Sequence, residues 1–351
     1  MLKTEIDRIV DESASRLIQS SSPSIRYWVL RDVMMKDRED LAIQRALVEC
    51  ERYPPRRRIL EDMNADGTWP VPKVKEGRNP SQTQTCEYLT HATMLKNLLR
   101  LLHFVTLPGD DRVNTSLEKL FSWQTKDGYI EGPMNNGLPQ PHYNGYALYL
   151  AEGFYMEEDP KLNRLADWLK ATQRRDGGWT MPYVQDVKYL PEYRHLRMDE
   201  FIQLMQTDER KMHDPMDLQD VPSCHWTTMM VLWGLNDKLQ MRYSRCVQKG
   251  ADFLLGRFFQ RNPHSNFYES ERNWTALKYP HNKCSGLAAL HVLTKAGMGP
   301  DDPRMERPIR WLIDARYRDG FWTDSDRPHT EAGQWLSTMA LYALERYAQR
   351  L

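Results

Sequence analysis

The chain has 351 residues, 40% hydrophobic and 27% charged, with Lys+Arg and Asp+Glu both at 48 and a formal net charge of zero. This composition excludes a disordered chain, and the missing basic excess excludes a nucleic-acid binder whose affinity comes from overall charge, since phosphate contacts need a basic face. No apolar run is long enough for a spanning helix, and the opening MLKTEIDRIVDESASRLIQS lacks the apolar centre of a signal peptide.

Helical periodicity dominates and strand alternation is scarce; Leu, Met, Ala, Arg and Glu outnumber Val and Ile, which favours helix. In chain order the pattern predicts helices near 3–19, 23–36, 38–52, 55–63, 82–104, 110–124, 142–155, 159–174, 223–236, 240–260, 282–297, 302–316 and 331–350. Ser22-Pro23-Ser24 and Asp301-Asp302-Pro303 place Pro in a first turn, the second with acids at the positive end of the helix dipole. Asp110 and Asp111 likewise read as a helix start.

An internal repeat organises these helices. Asp-Gly followed by an aromatic ends units at Trp69, Tyr129, Trp179 and Trp322, with the glycines at 67, 128, 177 and 320. A fifth unit shows in Lys249-Gly250 and Phe253-Leu254, without the Asp-Gly turn. In each unit an amphipathic helix ends at Gln or Arg, Gly permits the left-handed backbone that stops it, an aromatic anchors the turn, and a more apolar helix follows. Exposed helices alternating with buried ones predict an all-α fold: a closed (α/α)6 barrel, or toroid, of six inner and six outer helices. It forms one domain over residues 1–351, with a charged, Met-rich insertion at about 182–221 that crosses one mouth.

Arg164, Ala166, Trp168-Leu169, Gln173, Gly177 and Trp179 resemble the QW repeat of the terpenoid cyclase and protein prenyltransferase superfamily. Trp311-Leu312, Arg316, Gly320 and Trp322 repeat it with Arg in place of Gln. The opening Ser22 to Asp32 is also similar to a set of uncharacterised bacterial repeat proteins. The resemblance covers about residues 23–350 and implies the toroid and an isoprenoid or other apolar substrate in its lumen. The Asp-x-Asp-Asp acid of a class II cyclase and the Asp-rich metal motif of a class I synthase are both absent; Asp324-Ser325-Asp326-Arg327 comes nearest the former, which makes Asp326 the candidate acid. Asn282-Lys283-Cys284 and His329-Thr330 resemble the two zinc-binding elements of the prenyltransferases, with Asn in place of Asp. Basic residues for a diphosphate are missing at the matching positions, Ala276 and Tyr279, although Arg272 and Lys278 lie nearby.

Cysteine and histidine gather where the inner helices begin: Cys86, His142, Cys224-His225, His281, Cys284 and His329. Parallel inner helices bring such positions to one mouth, and thiolate and imidazole are the ligands zinc prefers. The expected zinc ligands are Cys224, Cys284 and His329, with Cys86 and His225 as alternates; His225 is also a candidate catalytic residue. Unligated polar lining accounts for the same residues, because buried cysteine behaves as a small hydrophobe. The five cysteines are odd in number and irregular in spacing, so free thiols and a cytoplasmic location are expected. Tyr143, Trp226, Trp233, Trp274 and Trp335, with Lys278, are the candidate substrate-binding residues; packing between helices explains the aromatics equally well. Three readings stay open: a cyclase- or prenyltransferase-like enzyme, a non-catalytic toroid that binds a lipid or protein partner, and one subunit of a two-subunit prenyltransferase.

Overall fold

A computed structural model describes residues 2–71, 86–106, 109–131, 140–154, 159–180, 195–197, 200, 222–238, 240–263, 270–279, 284–317, 319–323 and 329–351. Apart from 195–197 and 200, the expected insertion lies outside these residues, and so does Asp326. The described elements are α-helices and short 3₁₀ turns; the two isolated β-bridges, Gln124 with Ile130 and Trp179 with Cys224, are single pairings inside turns.

Six helices form the inner ring: α2 (Pro23–Asp32) and α5 (Cys86–His103), each with half its residues buried, and α7 (Pro141–Gly153), α9 (His225–Asp237), α11 (Gly286–Lys295) and α13 (Glu331–Ala348), each with most of them buried. In α9 and α11 every residue but the last is buried, so these helices carry no polar stripe for solvent. The others bury one face: α1 (Leu2–Leu17), α3 (Leu41–Arg52) with α4 (Pro54–Glu61), α6 (Asp111–Phe121), α8 (Pro160–Ala171), α10 (Arg245–Gly256) and α12 (Glu306–Asp314). In α12 only Pro308, Ile309, Leu312 and Ile313 turn inward. Side chains cap the starts of these outer elements. Asp40 accepts from the backbone N–H of Ala42, Asp110 from Arg112, Asp159 from Lys161, and Ser244 from Val247. Asp302 does the same for the 3₁₀ turn Pro303–Met305 that leads into α12.

The inner ring closes. α5 packs on α7, α7 on α9, α9 on α11, α11 on α13 and α13 on α2. The Trp28 indole of α2 then donates to the His103 carbonyl at the end of α5, at 2.8 Å. Outer helices seat in the grooves, with α1 against α13 and α2, and α10 against α9 and α11. The tightest joint is α7 with α9, where a Cβ on Gly145 would lie 2.5 Å from Val231 Cα and one on Gly234 would run into the Gly145 carbonyl.

The four Asp-Gly turns are one joint used four times. Gly67, Gly128, Gly177 and Gly320 have φ of 81°, 100°, 94° and 91°. Two residues on, the Trp69, Trp179 and Trp322 indoles donate to the carbonyls of Ile59, Leu169 and Leu312, at 2.7, 2.8 and 2.7 Å, so the three occupy equivalent positions. In the second unit that place belongs to Ile130, which is 1% exposed, while Tyr129 is half-buried beside Trp168. The expected aromatic anchor there is therefore one residue out of register, because burial follows the second residue after glycine and not the first. The fifth unit, lacking the turn, anchors on Trp274, whose indole donates to the Gln260 carbonyl at 2.7 Å. At Gly128, Gly177 and Gly320 the residue four before the glycine ties the turn to the next outer helix. Gln124 donates to the Gly128 and Lys161 carbonyls, and Gln173 to those of Gly177 and Cys246, all at 2.8 Å. Arg316 takes the same place in the last unit and reaches the Gly320 carbonyl and Glu12 of α1. Ser13 of α1 adds a buried hydrogen bond to the Gly320 carbonyl at 2.7 Å, so the seam between the last unit and the first is made like the joints before it.

Candidate functional site

The inner helices run parallel, so the torus has one mouth where they begin and another where they end. At the first mouth Cys224 and Cys284 are buried and within electrostatic reach of each other; burial, with Cys224 adding to it, pushes the Cys284 thiol up. The Cys224 sulfur accepts from the Asn262 amide at 3.3 Å. His329 does not join them: its imidazole is exposed, 3.6 Å from Asp319 and edge-on to Phe321. Cys86 is exposed at the start of α5. Among the described residues no group of three or more His, Cys, Asp or Glu side chains is placed to hold a metal ion, so the donors expected for zinc do not assemble as a set.

The expected aromatic wall divides into separate packings. His225 lies edge-on to Trp226 and Trp274, and Trp226 packs against Trp274 with ring centres 4.5 Å apart. Trp274, fully buried, serves as the fifth anchor. The Tyr143 hydroxyl pairs with His91 Nδ1 at 2.7 Å, and His91 lies over Trp123. Burial, helped by Lys119, pushes the His91 pKa down to about 4, which keeps the ring neutral. Lys278 donates to Asn273 at 2.7 Å. Trp335 stands apart from the others: it stacks on His103 at 4.7 Å and lies parallel to Tyr279.

Trp335 leads to the second mouth, where a cavity of about 340 Å³ opens between the ends of the inner helices. A band of rings surrounds it. Tyr149 of α7 meets Trp233 of α9, Trp233 meets His291 of α11, and His291 meets Tyr342 of α13. The Tyr342 hydroxyl reaches the Trp28 carbonyl of α2 at 3.4 Å, and Trp28 completes the circuit to α5. Burial drives His103 down to about 3 and raises the phenols of Tyr149 and Tyr342, so these three side chains are uncharged at neutral pH.

Charged residues line the end of this cavity. Arg31 Nη2 donates to the adjacent Asp32 at 2.7 Å, Lys295 pairs with Asp237, and Lys238 bridges to Glu152 at 3.1 Å. Arg242 donates to the Asn236 carbonyl at 2.9 Å. Burial works against the charge of Arg31, but its bonds to Asp32 outweigh that and leave its pKa raised. Lys295 and Arg346 are lowered by burial despite their carboxylate neighbours. Cations at the C-terminal ends of parallel helices also face the negative ends of the helix dipoles, which accounts for their number here. The sequence offered one trace of this site: Trp335, Met339, Tyr342 and Arg346 form a single stripe along α13, and all four line the cavity.

No protein-family model matches the chain, and no curated protein matches it in sequence. Among solved structures it is similar to a protein from Actinoplanes, at 16% identity over 86% of this chain and 99% of that one, with a TM-score of 0.30. It is also similar to two variants of the type II terpene cyclase MstE from Scytonema. One was solved with merosterolic acid A, its product (14% identity, 87% of this chain, 99% of that chain, TM-score 0.31). The other was solved with geranylgeranyl dihydroxybenzoate, its substrate (12% identity, 87% and 99%, TM-score 0.31). Likeness at this level supports neither fold nor activity; the toroid rests on the ring and joints described above. No described helix is long and apolar enough to cross a membrane.

Proposed function

We propose that the toroid binds a short, chain-shaped apolar molecule, of isoprenoid or similar character, through the mouth where its inner helices end. The observation that carries this is the ring-lined cavity itself. Its 340 Å³ sits at the lower end of small-molecule pockets, about 300–1,000 Å³. Trp335 and Arg346 both line it from one helix, three turns apart, a span of roughly 16 Å. A cavity that long and that small in volume is narrow, which suits a chain better than a fused ring system. Aromatic walls supply apolar surface, and the charged end offers a place for a polar head. His225, the candidate for catalysis, lies outside this lining at the opposite mouth, so binding is the function the geometry supports best.

Trp28, Trp233 and Trp335 make the test direct, because occupancy changes their fluorescence. Titration of the whole chain with geraniol is expected to give a saturable change, abolished in Met339→Phe, which narrows the cavity. A strictly linear response in the wild type, or one unchanged in Met339→Phe, would remove the basis of the reading.

A further inference from the structure

Among the described residues, one cation in the charged end has no hydrogen-bonding or ion-pairing partner. Arg31, Lys295 and Lys238 each hold a carboxylate, and Arg242 holds a backbone carbonyl. Arg346, in the last turn of α13, makes no hydrogen bond or ion pair among the described residues, and its Nη1 is sealed from solvent without an acceptor. Its guanidinium lies over the Tyr342 ring at 5.5 Å and lines the cavity. A guanidinium does not shed its proton in proteins, and a buried charge is costly unless paired. The ring face offsets part of that cost but leaves the N–H donors unused.

Resting on the binding reading above, we propose that Arg346 anchors the carboxylate of an amphiphilic ligand whose apolar chain lies along the aromatic band. The planar fork of a guanidinium matches a carboxylate bidentately. A more highly charged head, such as a diphosphate, fits poorly. The other cations are already engaged, and Asp32 and Asp237, both close enough to act on Arg346 electrostatically, repel a second negative charge. A neutral alcohol would fill the band but leave the guanidinium unpaired. The ligand class is thus a short apolar carboxylic acid, and the head enters last, at the mouth.

The test compares three probes of one chain length by tryptophan fluorescence: geranic acid, geraniol and geranyl diphosphate. Geranic acid is expected to bind roughly 10–100-fold more tightly than geraniol, the value of a charge-assisted pair. Arg346→Met should erase the preference, so that geranic acid and geraniol bind the variant with equal affinity. Arg346→Lys, which keeps the charge without the fork, should fall between; its retained binding shows that the mouth still folds. The inference is overturned if geraniol binds as tightly as geranic acid, if geranyl diphosphate binds tightest, or if Arg346→Met leaves geranic acid affinity untouched. If none of the three probes binds saturably, the lumen reading itself has failed.

Discussion

Replacing Trp179 with Ala tests the repeat as a physical joint. Its ring is fully buried, its indole donates to the Leu169 carbonyl at 2.8 Å, and its backbone N–H donates to the Thr228 hydroxyl of α9 at 2.9 Å. A Cβ on Gly250 of α10 would lie 2.8 Å from the ring, so the indole fills the space between two successive units. Truncating such a side chain costs about 3–5 kcal/mol from lost transfer energy and residual cavity. The hydrogen bond adds only about 1 kcal/mol, because the Leu169 carbonyl keeps the Thr172 hydroxyl at 3.0 Å and is not orphaned. The expected loss is therefore about 4–6 kcal/mol, read as a shift of the urea midpoint by circular dichroism. The second unit supplies the control. Ile130→Ala should cost about 2–4 kcal/mol, and Tyr129→Ala, at a half-buried ring, less than about 1.5 kcal/mol. A Trp179→Ala loss under about 1 kcal/mol, or a larger loss at Tyr129 than at Ile130, would refute the assignment of the anchor to the second residue after glycine.

Gly177→Ala is expected to destabilise by at least about 1–3 kcal/mol, since φ is 94° and a Cβ would stand 2.7 Å from the Lys249 carbonyl of the next outer helix. A variant as stable as the wild type in the same urea titration would contradict this. Acid should weaken the fold before ordinary carboxylates titrate. His91 and His103 have folded pKa values of about 4 and about 3 against 6.5 unfolded, so below pH 6.5 the unfolded chain binds more protons and stability falls with pH. The loss is about 1.4 kcal/mol per pH unit for each ring, roughly 2 kcal/mol each at pH 5. The melting temperature should drop from pH 7 to pH 5 and drop less in His103→Gln; equal wild-type melting temperatures would show that the rings are not held neutral.

Much of the fold could be read in the sequence because its determinants are local. Helix period, capping Asp110 and Asp302, and Asp-Gly turns all act within a few residues, and each reappears in the structure. The second unit misled because its Tyr129 has the size of an anchor while Ile130 has the buried position. The cavity was harder to see for a different reason. Arg31, Asp237, Lys295 and Arg346 each look like an ordinary residue near a helix end. Only the closed ring brings them to one mouth, and only the count of partners singles out Arg346. The cysteines and histidines at the opposite mouth drew attention by residue type, which does not report direction: Cys224 and Cys284 turn inward and His329 turns out.

The seam between the last unit and α1 has a consequence for how the chain is made. Helix α1 leaves the ribosome well before α13, yet Ser13 bonds to a carbonyl 307 residues later and the helix packs against α13. At about 5–20 residues per second, roughly 15–60 s pass before its groove exists. Throughout that interval Ile6, Ile9, Val10 and Leu17, all buried in the finished protein, lie on an amphipathic stripe whose α13 side stays uncovered. Ring closure is thus a late, chain-spanning step that no intermediate lacking α13 can take, and the half-covered stripe of α1 is a natural client for a holding chaperone during translation.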